Sequence, residues 1–288
     1  MRDLSPETHV LIAGPTASGK SALALEIAAD QGGVIVNADA IQVFANWRVL
    51  TARPSIEDEK HAPHALYGHI AGDAPYSVGH WLREVNALLQ AGQRLIITGG
   101  TGLYFQALTA GLAEIPATPA DIRKLADSRV RDEGFEALLQ AIDADTRARI
   151  DVLNPMRVQR AWEVQQATGR GLASWQDATP APILPVQDSF PVVFDTDKDW
   201  LNERIARRFQ MMIEGGAMQE AERNFESWSP DHLSSKAIGA PELMAHLKGE
   251  VDLETAIDRA TIATRQFAKR QRTWFRSKMK EWRPVSPS

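Results

Sequence analysis

The stretch Gly14-Pro-Thr-Ala-Ser-Gly-Lys-Ser21 decides the fold of this 288-residue chain. It fits the pattern G-x-x-x-x-G-K-[ST], and it stands between a short apolar run, HVLIAG (9–14), and a segment of helical apolar spacing, SALALEIAADQ (21–31). Between a strand and a helix, this pattern predicts a phosphate-binding loop whose backbone N–H groups surround phosphate oxygens. Lys20 adds a full positive charge, and the Ser21 hydroxyl is the candidate ligand for Mg²⁺. The candidate phosphate-binding residues are Gly14, Pro15, Thr16, Ala17, Ser18, Gly19, Lys20 and Ser21.

Two further apolar runs follow this loop in the sequence. GVIVNAD (33–39) ends at Asp39, and RLIITGGTG (94–102) runs into glycines around Thr101. Between them, the amphipathic segment SVGHWLREVNALLQAG (77–92) predicts a helix that Gly92 stops. Alternating strands and helices predict an α/β fold with a parallel sheet, whose strands all end at one crevice. We therefore expect Asp39 and Thr101 to face the same crevice as the phosphate-binding loop.

The pattern changes after about residue 114. Residues 115–188 have helical periodicity without a buried strand, and the proline-rich stretch QDATPAPILPVQDSFP (176–191) predicts a linker. A strand over VVFDTD (192–197) and a mostly helical region from Trp200 to Trp282 are expected to follow. The sequence therefore predicts a P-loop NTPase-like parallel-sheet core of residues 1–114 plus 189–288, with a helical C-terminal region. Residues 115–188 are predicted to form an inserted helical domain.

The composition excludes several classes of protein. The chain has no cysteine, which excludes disulfides and cysteine-based zinc sites. It has no apolar run long enough to span a membrane, and its first residues lack the layout of a secretory signal, so we expect a cytoplasmic protein. The net charge is −5, yet residues 264–283 carry eight Lys or Arg and one acidic residue. Such local basicity indicates a surface for nucleic acid.

Several candidate residues also have a purely structural interpretation. Asp39 can accept a proton or hold a metal-bound water, or it can merely form a turn. The glycines around Thr101 can bring backbone amides to a phosphate, or they can form an ordinary strand-to-helix turn. A metal site at the clustered histidines is the lesser alternative to solvated or substrate-facing loop residues, because no carboxylate pattern typical of zinc enzymes frames them. These histidines are His61, His64, His69 and His80.

Arginines cluster in two parts of the chain. Arg157 and Arg160 lie three residues apart in NPMRVQRAWEV (154–164), and therefore on one helix face that either binds RNA or is simply solvated. Arg123, Arg129 and Arg131 lie nearby in the predicted insert. Arg204 and Arg208 share a face of another predicted helix, and the sequence leaves open whether they reach phosphates or pair with acids.

The C-terminal segment RQFAKRQRTWFR (265–276) interleaves basic and aromatic residues. Basic side chains neutralise phosphates and aromatic rings stack on unpaired bases, as recognition of single-stranded RNA requires. The alternative is an amphipathic packing helix with Phe267, Trp274 and Phe275 in the core. Both interpretations can hold together.

Eight segments occur in a characteristic order over nearly the whole chain. They are GPTASGKS, VNADAIQVF, LTARPS, PHALYGHI, YSVGHW, TGGTGLYFQALTAGL, NPMRVQRAWEVQQATG and TRQFAKRQRTWFR. In this order they resemble the bacterial tRNA dimethylallyltransferases, also called tRNA isopentenyltransferases. GGTGLYF and the last segment are far more specific than the phosphate-binding loop. The residues alone do not name the phosphate donor, whereas the resemblance implies the diphosphate of dimethylallyl diphosphate, with Mg²⁺, rather than a nucleotide that is hydrolysed.

The resemblance implies transfer of the dimethylallyl group to N6 of the adenine directly 3′ of the anticodon, in tRNAs reading codons that begin with U. It implies Asp39 as general base, Thr101 as a second catalytic residue, and either Arg204 or Arg208 as a diphosphate ligand beside the loop. The partner is the anticodon stem-loop of tRNA, and the family suggests a monomer without membrane attachment. The implied tRNA contacts are Asp39, Ala40, Ile41, Gln42, Thr101, Arg123, Met156, Arg157, Val158, Gln159 and Arg160.

One segment departs from the family pattern. In SSKAIGAPEL (234–243), Ala240 and Pro241 replace an aromatic and a basic residue, so no RNA contact is carried over to that segment. The alternative functions are an ATP-dependent kinase or NTPase acting on a nucleotide or RNA end, and a tRNA-binding module with an inactive loop. The sequence shows no clear arginine-rich lid, which disfavours a kinase. Lys20, Ser21 and Asp39 are intact, which disfavours an inactive loop.

Overall fold

The computed structural model describes residues 4–287, which form two compact units. The first unit runs to Thr109 and resumes at Ile183, whereas the second unit is Ala110–Pro182. The boundaries predicted from the sequence, 115 and 188, lie a few residues further along the chain at each end. All strands of the sheet belong to the first unit.

A six-stranded parallel sheet is the centre of the first unit, which confirms the predicted α/β class. Its strands are β1 (His9–Ala13), β2 (Val34–Asn37), β3 (His64–Ala65), β4 (Leu95–Gly99), β5 (Ser189–Phe194) and β6 (Arg283–Val285). Their order is β3-β2-β4-β1-β5-β6. Strand β1, which precedes the phosphate-binding loop, therefore pairs with β4 and β5, and β2 lies one strand beyond β4. Because the strands are parallel, the carboxyl ends of β1, β2 and β4 meet at one edge.

Helices make up most of the remaining described residues. In chain order they are α1 (Lys20–Gln31), α2 (Ile56–His61), α3 (Val78–Gln90), α4 (Gly102–Ala110), α5 (Ala120–Glu133), α6 (Phe135–Gln140), α7 (Ala144–Arg149), α8 (Pro155–Thr168), α9 (Leu172–Asp177), α10 (Lys198–Met212), α11 (Met218–Asn224), α12 (Ala240–Leu247) and α13 (Leu253–Lys278). Helices α5 to α9 lie in the second unit. Within residues 4–287, no helix combines the length and the apolar character that crossing a membrane requires.

Both faces of the sheet are buried. Successive strand residues point to opposite faces, so Leu11 belongs to one core cluster with Trp81 and Phe105, and Ile12 belongs to another with Ile27. Burial on both faces explains why the strands appear in the sequence as continuous apolar runs rather than as alternating patterns. The same packing holds the strand ends, and thus the loops that follow them, in fixed positions.

Strand β5 begins earlier than the sequence predicts. The predicted boundary between the linker (176–191) and the strand (192–197) is wrong. Ser189 and Pro191, which were predicted to lie in the linker, already belong to the strand. Proline has no N–H to donate to a neighbouring strand, so it is tolerated where its strand has no hydrogen-bonded neighbour on one side. Strand β6 pairs with β5 only from Val192 to Phe194, so Pro191 lies before this pairing starts.

The C-terminal helices pack around a third core cluster, which includes Trp47, Phe209 and Leu243. Gly239, just before α12, has φ of 97°, and an added Cβ would lie 2.7 Å from a methyl carbon of Leu50. A glycine is therefore required at this close approach. Pro241 follows in the first turn of α12, where its missing N–H costs no helical hydrogen bond.

The second unit has a small core of its own, to which α5, α6 and α8 contribute. Its buried members include Ala126, Leu138, Val158 and Trp162. Helix α8 begins with Pro155 after Asn154, whose side chain accepts a hydrogen bond from the Arg157 N–H at 3.3 Å. This proline start and side-chain cap fix where the helix that carries the predicted RNA contacts begins.

Candidate active site

The phosphate-binding loop makes a tight connection between β1 and α1. Ala17 and Gly19 both have left-handed backbone, with φ of 63° and 101°. A Cβ on Gly14 would lie 2.7 Å from the Cβ of Phe194 and 3.0 Å from the Ser18 hydroxyl oxygen, so no larger residue fits there. The loop thus presents backbone and short polar side chains at the N-terminus of α1, where a phosphate is favoured.

Lys20 is held by the loop itself. Its Nζ donates a hydrogen bond to the carbonyl oxygen of Pro15 at 2.8 Å. Burial and, to a smaller extent, the nearby Arg208 guanidinium lower the pKa of Lys20 to about 8, and the Asp39 carboxylate opposes both effects. An anionic ligand would restore the full charge, since an opposite charge favours the protonated amine.

Asp39 and Thr101 are brought together, as the sequence predicts from the strand ends. The Thr101 hydroxyl accepts a hydrogen bond from the Ala40 N–H at 3.0 Å, and the Thr101 N–H donates to the Ala38 carbonyl at 3.1 Å. An added Cβ on Gly99 would lie 2.1 Å from the Ala38 carbonyl oxygen, so these loops touch through bare backbone. The turn after β2 and the turn after β4 therefore form one rigid edge beside the loop.

Asp39 is fixed by hydrogen bonds of its own turn and of a neighbouring side chain. Its Oδ1 accepts the Ile41 N–H at 2.9 Å, which is the turn interpretation of this residue. The buried Asn37 side chain also binds the Asp39 backbone. It accepts a hydrogen bond from the Asp39 N–H at 2.8 Å and donates one to the Asp39 carbonyl at 2.9 Å. The second carboxylate oxygen has no partner among the hydrogen bonds of residues 4–287. This oxygen is therefore available to a substrate.

A cavity of about 440 Å³ extends from these residues. Its lining combines polar residues, among them Thr16, Asp39, Thr101 and Arg208, with apolar ones. The remaining lining residues are Ala17, Ala40, Ile41, Leu50, Thr51, Ile205, Phe209, Met212, Lys236, Ala237, Ile238, Thr264, Phe267 and Arg270. Such a cavity suits a ligand with an anionic end and an apolar end.

A second cavity of about 610 Å³ adjoins the other side of the loop and reaches Ser18, Lys20 and Ser21. Three arginines of α10, Arg204, Arg207 and Arg208, line it. A third, small chamber of about 60 Å³ lies between the loop and the strand ends. Its lining includes Thr16, Lys20, Ser21, Asp39, Gln42, Tyr67, Thr98 and Arg208.

The two candidate arginines have different environments. Arg208 Nη1 lies 3.5 Å from the Thr16 hydroxyl oxygen and lines all three cavities. Burial lowers the pKa of Arg208, and the Asp39 carboxylate opposes that effect. Arg204 is more exposed, donates to the Ala17 carbonyl at 3.1 Å and stacks on Trp200 with 4.7 Å between guanidinium and ring. Arg208 therefore faces all three cavities, whereas Arg204 lines the second cavity alone and is held by the loop backbone and Trp200.

The three residues after Asp39 also lie at the cavities. Ala40 and Ile41 line the large apolar cavity, and Gln42 lines the small chamber. Gln42 Nε2 donates to the carbonyl oxygens of Thr51 and Ala52, at 2.8 Å and 3.2 Å. In this structure Gln42 thus fixes the neighbouring loop rather than presenting a free amide.

Sequence reasoning missed two residues that hold the site. Buried Gln271 of α13 accepts the Thr16 N–H at 2.9 Å and donates to the Gly100 carbonyl at 2.9 Å, which joins the phosphate-binding loop to GGTG. Buried Glu220 of α11 accepts the backbone N–H groups of Arg48, Val49 and Leu50, at 2.6, 3.1 and 2.9 Å. Gln271 lies inside the specific tail segment, which was the signal for it, whereas nothing in the local sequence marks Glu220.

The tail helix packs as the amphipathic interpretation predicts for two of its three aromatic residues. Phe275 is buried and Trp274 partly buried, and an added Cβ on Gly102 would lie 2.3 Å from the Trp274 ring. Phe267 instead lines the large cavity, with the Arg270 guanidinium 5.8 Å from its ring centroid. Helix α13 thus packs on the sheet with one part of its surface and faces the cavity with another.

The predicted tRNA contacts of the second unit separate into two groups. Arg123, Met156 and Arg157 are exposed, and Met156 retains 74% of its surface. Val158 is fully buried in the core of this unit, so its assignment as a contact is wrong; it supports α8 from within.

The other two residues of this segment are engaged inside the unit. Gln159 Nε2 donates to Asp127 at 2.7 Å and to Glu163 at 3.1 Å. Arg160 Nη1 donates to the Thr118 hydroxyl at 2.5 Å and lies 3.9 Å from the buried Glu163 carboxylate. Arg157 and Arg160 therefore do not form the single free face that their spacing suggests.

The clustered histidines do not converge. His61 and His64 each contact a nearby backbone carbonyl, His69 contacts Glu84 at 3.2 Å, and His80 contacts the Ser77 hydroxyl at 2.7 Å. Among residues 4–287, no three His, Asp or Glu side chains are grouped so that they could hold a metal ion. The loop interpretation is wrong for three of the four, because His61 belongs to α2, His64 to β3 and His80 to α3.

Comparisons with known proteins agree with the geometry of the first unit. The model of the IPP transferase family matches residues 42–278, and the isopentenyl transferase model matches residues 7–64. The chain is 58% identical to a tRNA dimethylallyltransferase of Paracoccus denitrificans, over 98% of this chain and 96% of the relative. It is 60% identical to a tRNA dimethylallyltransferase of Dinoroseobacter shibae, over 99% of this chain and 96% of the relative.

Solved structures give the same result. The full-length tRNA isopentenylpyrophosphate transferase of Bacillus halodurans superposes with a TM-score of 0.68 at 30% identity, over 97% of this chain and 90% of that chain. A eukaryotic dimethylallyltransferase acting on tRNA superposes with a TM-score of 0.82, over 97% of this chain and 74% of that chain. Its identity is 22%, so this likeness concerns the fold.

Proposed function

The chain belongs to the IPP transferase family, and from that premise we propose that it is a tRNA dimethylallyltransferase whose donor is dimethylallyl diphosphate. The acceptor is N6 of the adenine directly 3′ of the anticodon, in tRNAs that read codons beginning with U. The products are N6-(dimethylallyl)adenosine in the tRNA and free diphosphate. The chain acts in the cytoplasm, where its tRNA substrate is found.

The observation that carries this proposal is the mixed lining of the 440 Å³ cavity. The lining includes Thr16 and Arg208, which suit the anionic end of a ligand, and Ile41, Phe209 and Met212, which suit an apolar end. A diphosphate with a short hydrocarbon chain matches both ends. A nucleotide would instead place a polar ribose and base against apolar side chains, at the cost of their unmade hydrogen bonds.

The phosphate-binding loop holds the leaving group. As the bond between C1 and the diphosphate oxygen breaks, negative charge grows on that oxygen. Lys20, Arg208 and the loop amides at the start of α1 are fixed beforehand around this position, and donors fixed in place stabilise the growing charge without reorganising. The proposed reaction is thus alkyl transfer at carbon, in which no phosphoryl group moves.

Asp39 takes the proton. The adenine N6 attacks C1, the C1–O bond breaks, and one N6 proton passes to the free carboxylate oxygen of Asp39. The hydrogen bond from the Ile41 N–H to the carboxylate and the hydrogen bond from the Asp39 N–H to Asn37 hold this residue in place while it accepts the proton. Thr101 fixes the adjacent Ala40 backbone and lines the same cavity, so it orients Asp39 and can contact the substrate.

The donor atoms of the small chamber fit magnesium. The Ser21 hydroxyl and the Asp39 carboxylate line it together, and Mg²⁺ prefers oxygen ligands of this kind. When bound, Mg²⁺ would neutralise part of the diphosphate charge. Ser21 is the residue that would hold it.

The target adenine has to leave its stack to reach the cavity. Unstacking costs a few kcal/mol and is cheapest in a single-stranded loop such as the anticodon loop. Contacts by exposed Arg123 and Arg157 of the second unit, and by Arg270 of α13, offset this cost by neutralising phosphates. Exposed Met156 adds an apolar surface on which an unpaired base can rest.

The test is transfer of labelled dimethylallyl from its diphosphate to unmodified tRNA, with Mg²⁺ and with a chelator, beside a control that contains only ATP. Label in the adenine next to the anticodon supports the proposal. Consumption of ATP without label in tRNA would instead favour the alternative of a kinase or NTPase.

A further inference from the structure

Thr98 is a buried residue of the small chamber to which the proposed reaction gives no role. It is the second-last residue of β4, between Ile12 of β1 and Asn37 of β2. Its backbone carbonyl accepts the Ala38 N–H at 2.8 Å. Its side chain is 4% exposed, and its hydroxyl has no hydrogen-bond partner within residues 4–287.

A buried hydroxyl without a protein partner is costly, and it is rare unless a ligand or water meets it. Thr98 lines the same chamber of about 60 Å³ as Ser21 and Asp39. That volume exceeds the minimum of about 15 Å³ that a single water needs. The lining of the chamber includes the cations of Lys20 and Arg208 for phosphate charge, together with the hydroxyl oxygens of Thr16 and Ser21 and the carboxylate of Asp39.

Magnesium keeps several of its waters when a protein binds it, and those waters need hydrogen-bond acceptors. In NTPases with this kind of loop, the loop Ser or Thr and an aspartate elsewhere in the site hold the metal together. Here Ser21 supplies the loop hydroxyl, and the strand next to β1 carries Thr98, not a carboxylate, as its second-last residue. A hydroxyl can accept a hydrogen bond from a metal-bound water without adding charge.

We propose that the Thr98 hydroxyl binds the hydration shell of the magnesium ion that accompanies the diphosphate, and so couples diphosphate affinity to Mg²⁺. This inference rests on the proposed function of the loop. It concerns a residue of this chain that neither the loop pattern nor the strand-end carboxylate identifies.

The experiment is calorimetric titration with inorganic pyrophosphate, in Mg²⁺ and in EDTA. Thr98→Val keeps the shape and removes only the hydroxyl. We expect it to weaken binding about tenfold in Mg²⁺, the size of one hydrogen bond to a charged group, and to leave binding in EDTA unchanged. Thr98→Ser, which keeps the hydroxyl, should bind like the wild type. Thr98→Ala, a second variant without the hydroxyl, should repeat the loss if the valine variant does not fold.

Thr196 offers a matched control. It is 3% exposed, its hydroxyl also has no partner within residues 4–287, and it follows β5 outside the lining of the chamber. Thr196→Val should bind pyrophosphate like the wild type in both conditions. Wild-type affinity of Thr98→Val in Mg²⁺, or an equal loss in Mg²⁺ and EDTA, would overturn the role of Thr98 alone. A wild-type protein that binds no pyrophosphate in either condition would overturn the diphosphate site itself, and the inference with it.

Discussion

The side chain of Gln271 accepts a hydrogen bond from the Thr16 N–H at 2.9 Å, across 255 residues of sequence. The same side chain donates to the Gly100 carbonyl, and an added Cβ on Gly100 would lie 2.2 Å from its nitrogen. One amide therefore sets the distance between the phosphate-binding loop and GGTG. It also occupies a loop N–H that would otherwise be free for phosphate.

We expect Gln271→Leu to raise KM for the diphosphate donor about tenfold, because it releases the loop from GGTG. It should also lower the free energy of unfolding by about 1–3 kcal/mol, since a buried carbonyl and a partly buried N–H lose their partner. Steady-state kinetics and thermal unfolding measure the two effects. Gln266→Leu is the control, an exposed glutamine of the same helix. A loss of stability with unchanged KM would assign Gln271 to packing alone.

Arg208 and Arg204 provide a matched pair one helical turn apart on α10. Arg208→Ala should weaken binding of the diphosphate about ten- to a hundredfold, because a charged hydrogen bond at the anion is lost. Arg204→Ala should cost about 0.5–1 kcal/mol of stability through the lost stacking on Trp200, with little change in affinity. Binding titrations on both variants decide the point, and equal losses of affinity would contradict the distinction drawn from their contacts.

Part of this site could be predicted from the sequence because it follows from chain-local rules. The loop motif needs a strand before it and a helix after it, and parallel strands bring Asp39 and Thr101 to one edge. The choice between Arg204 and Arg208 could not be made, since both lie on one helix face. It depends on how the loop backbone curls beneath that face, which places the Ala17 carbonyl at one guanidinium and the Thr16 hydroxyl at the other.

Other features depend on contacts between distant segments. Gln271 looks like one more polar residue of a basic helix until α13 packs on GGTG. Val158 lies between two other predicted RNA contacts in the sequence, yet its position on the helix places its side chain in the core of the second unit. In the sequence, Pro191 argues against a strand. The structure allows it because the neighbouring β6 pairs with β5 only beyond Pro191. The burial of Val158 and the tolerance of Pro191 have no local sequence signal, and for Gln271 the only signal was its place in the specific tail segment.

Asp39→Asn separates the two purposes of this residue. Asparagine keeps an oxygen that can accept the Ile41 N–H, so the turn should survive, but it is a far weaker proton acceptor. We expect single-turnover transfer to fall by about 10²–10⁴, the usual contribution of a general base, with tRNA affinity unchanged. The control is Asp195→Asn, an exposed aspartate paired with Arg276. Turnover near the wild-type rate would remove Asp39 from the role of base.

The lowered pKa of Lys20 predicts how donor binding depends on pH. Without ligand this pKa is about 8, chiefly because the amine is buried. A bound diphosphate favours the charged amine and so raises its pKa, which means that binding takes up a proton above pH 8. The ligand does not share this transition, since phosphate esters complete their ionisation near pH ~6.

Affinity for dimethylallyl diphosphate should therefore be full below about pH 8 and should decline above it, by up to about tenfold for each pH unit. Titrations between pH 7 and about 9.5 in matched ionic strength measure this decline. Lys20→Met should bind more weakly at every pH and without the decline, because no amine is left to titrate. A wild-type affinity that stays constant across this range would mean that Lys20 remains charged in the free protein. The hydrogen bond from its ammonium group to the Pro15 carbonyl would then outweigh the effect of burial.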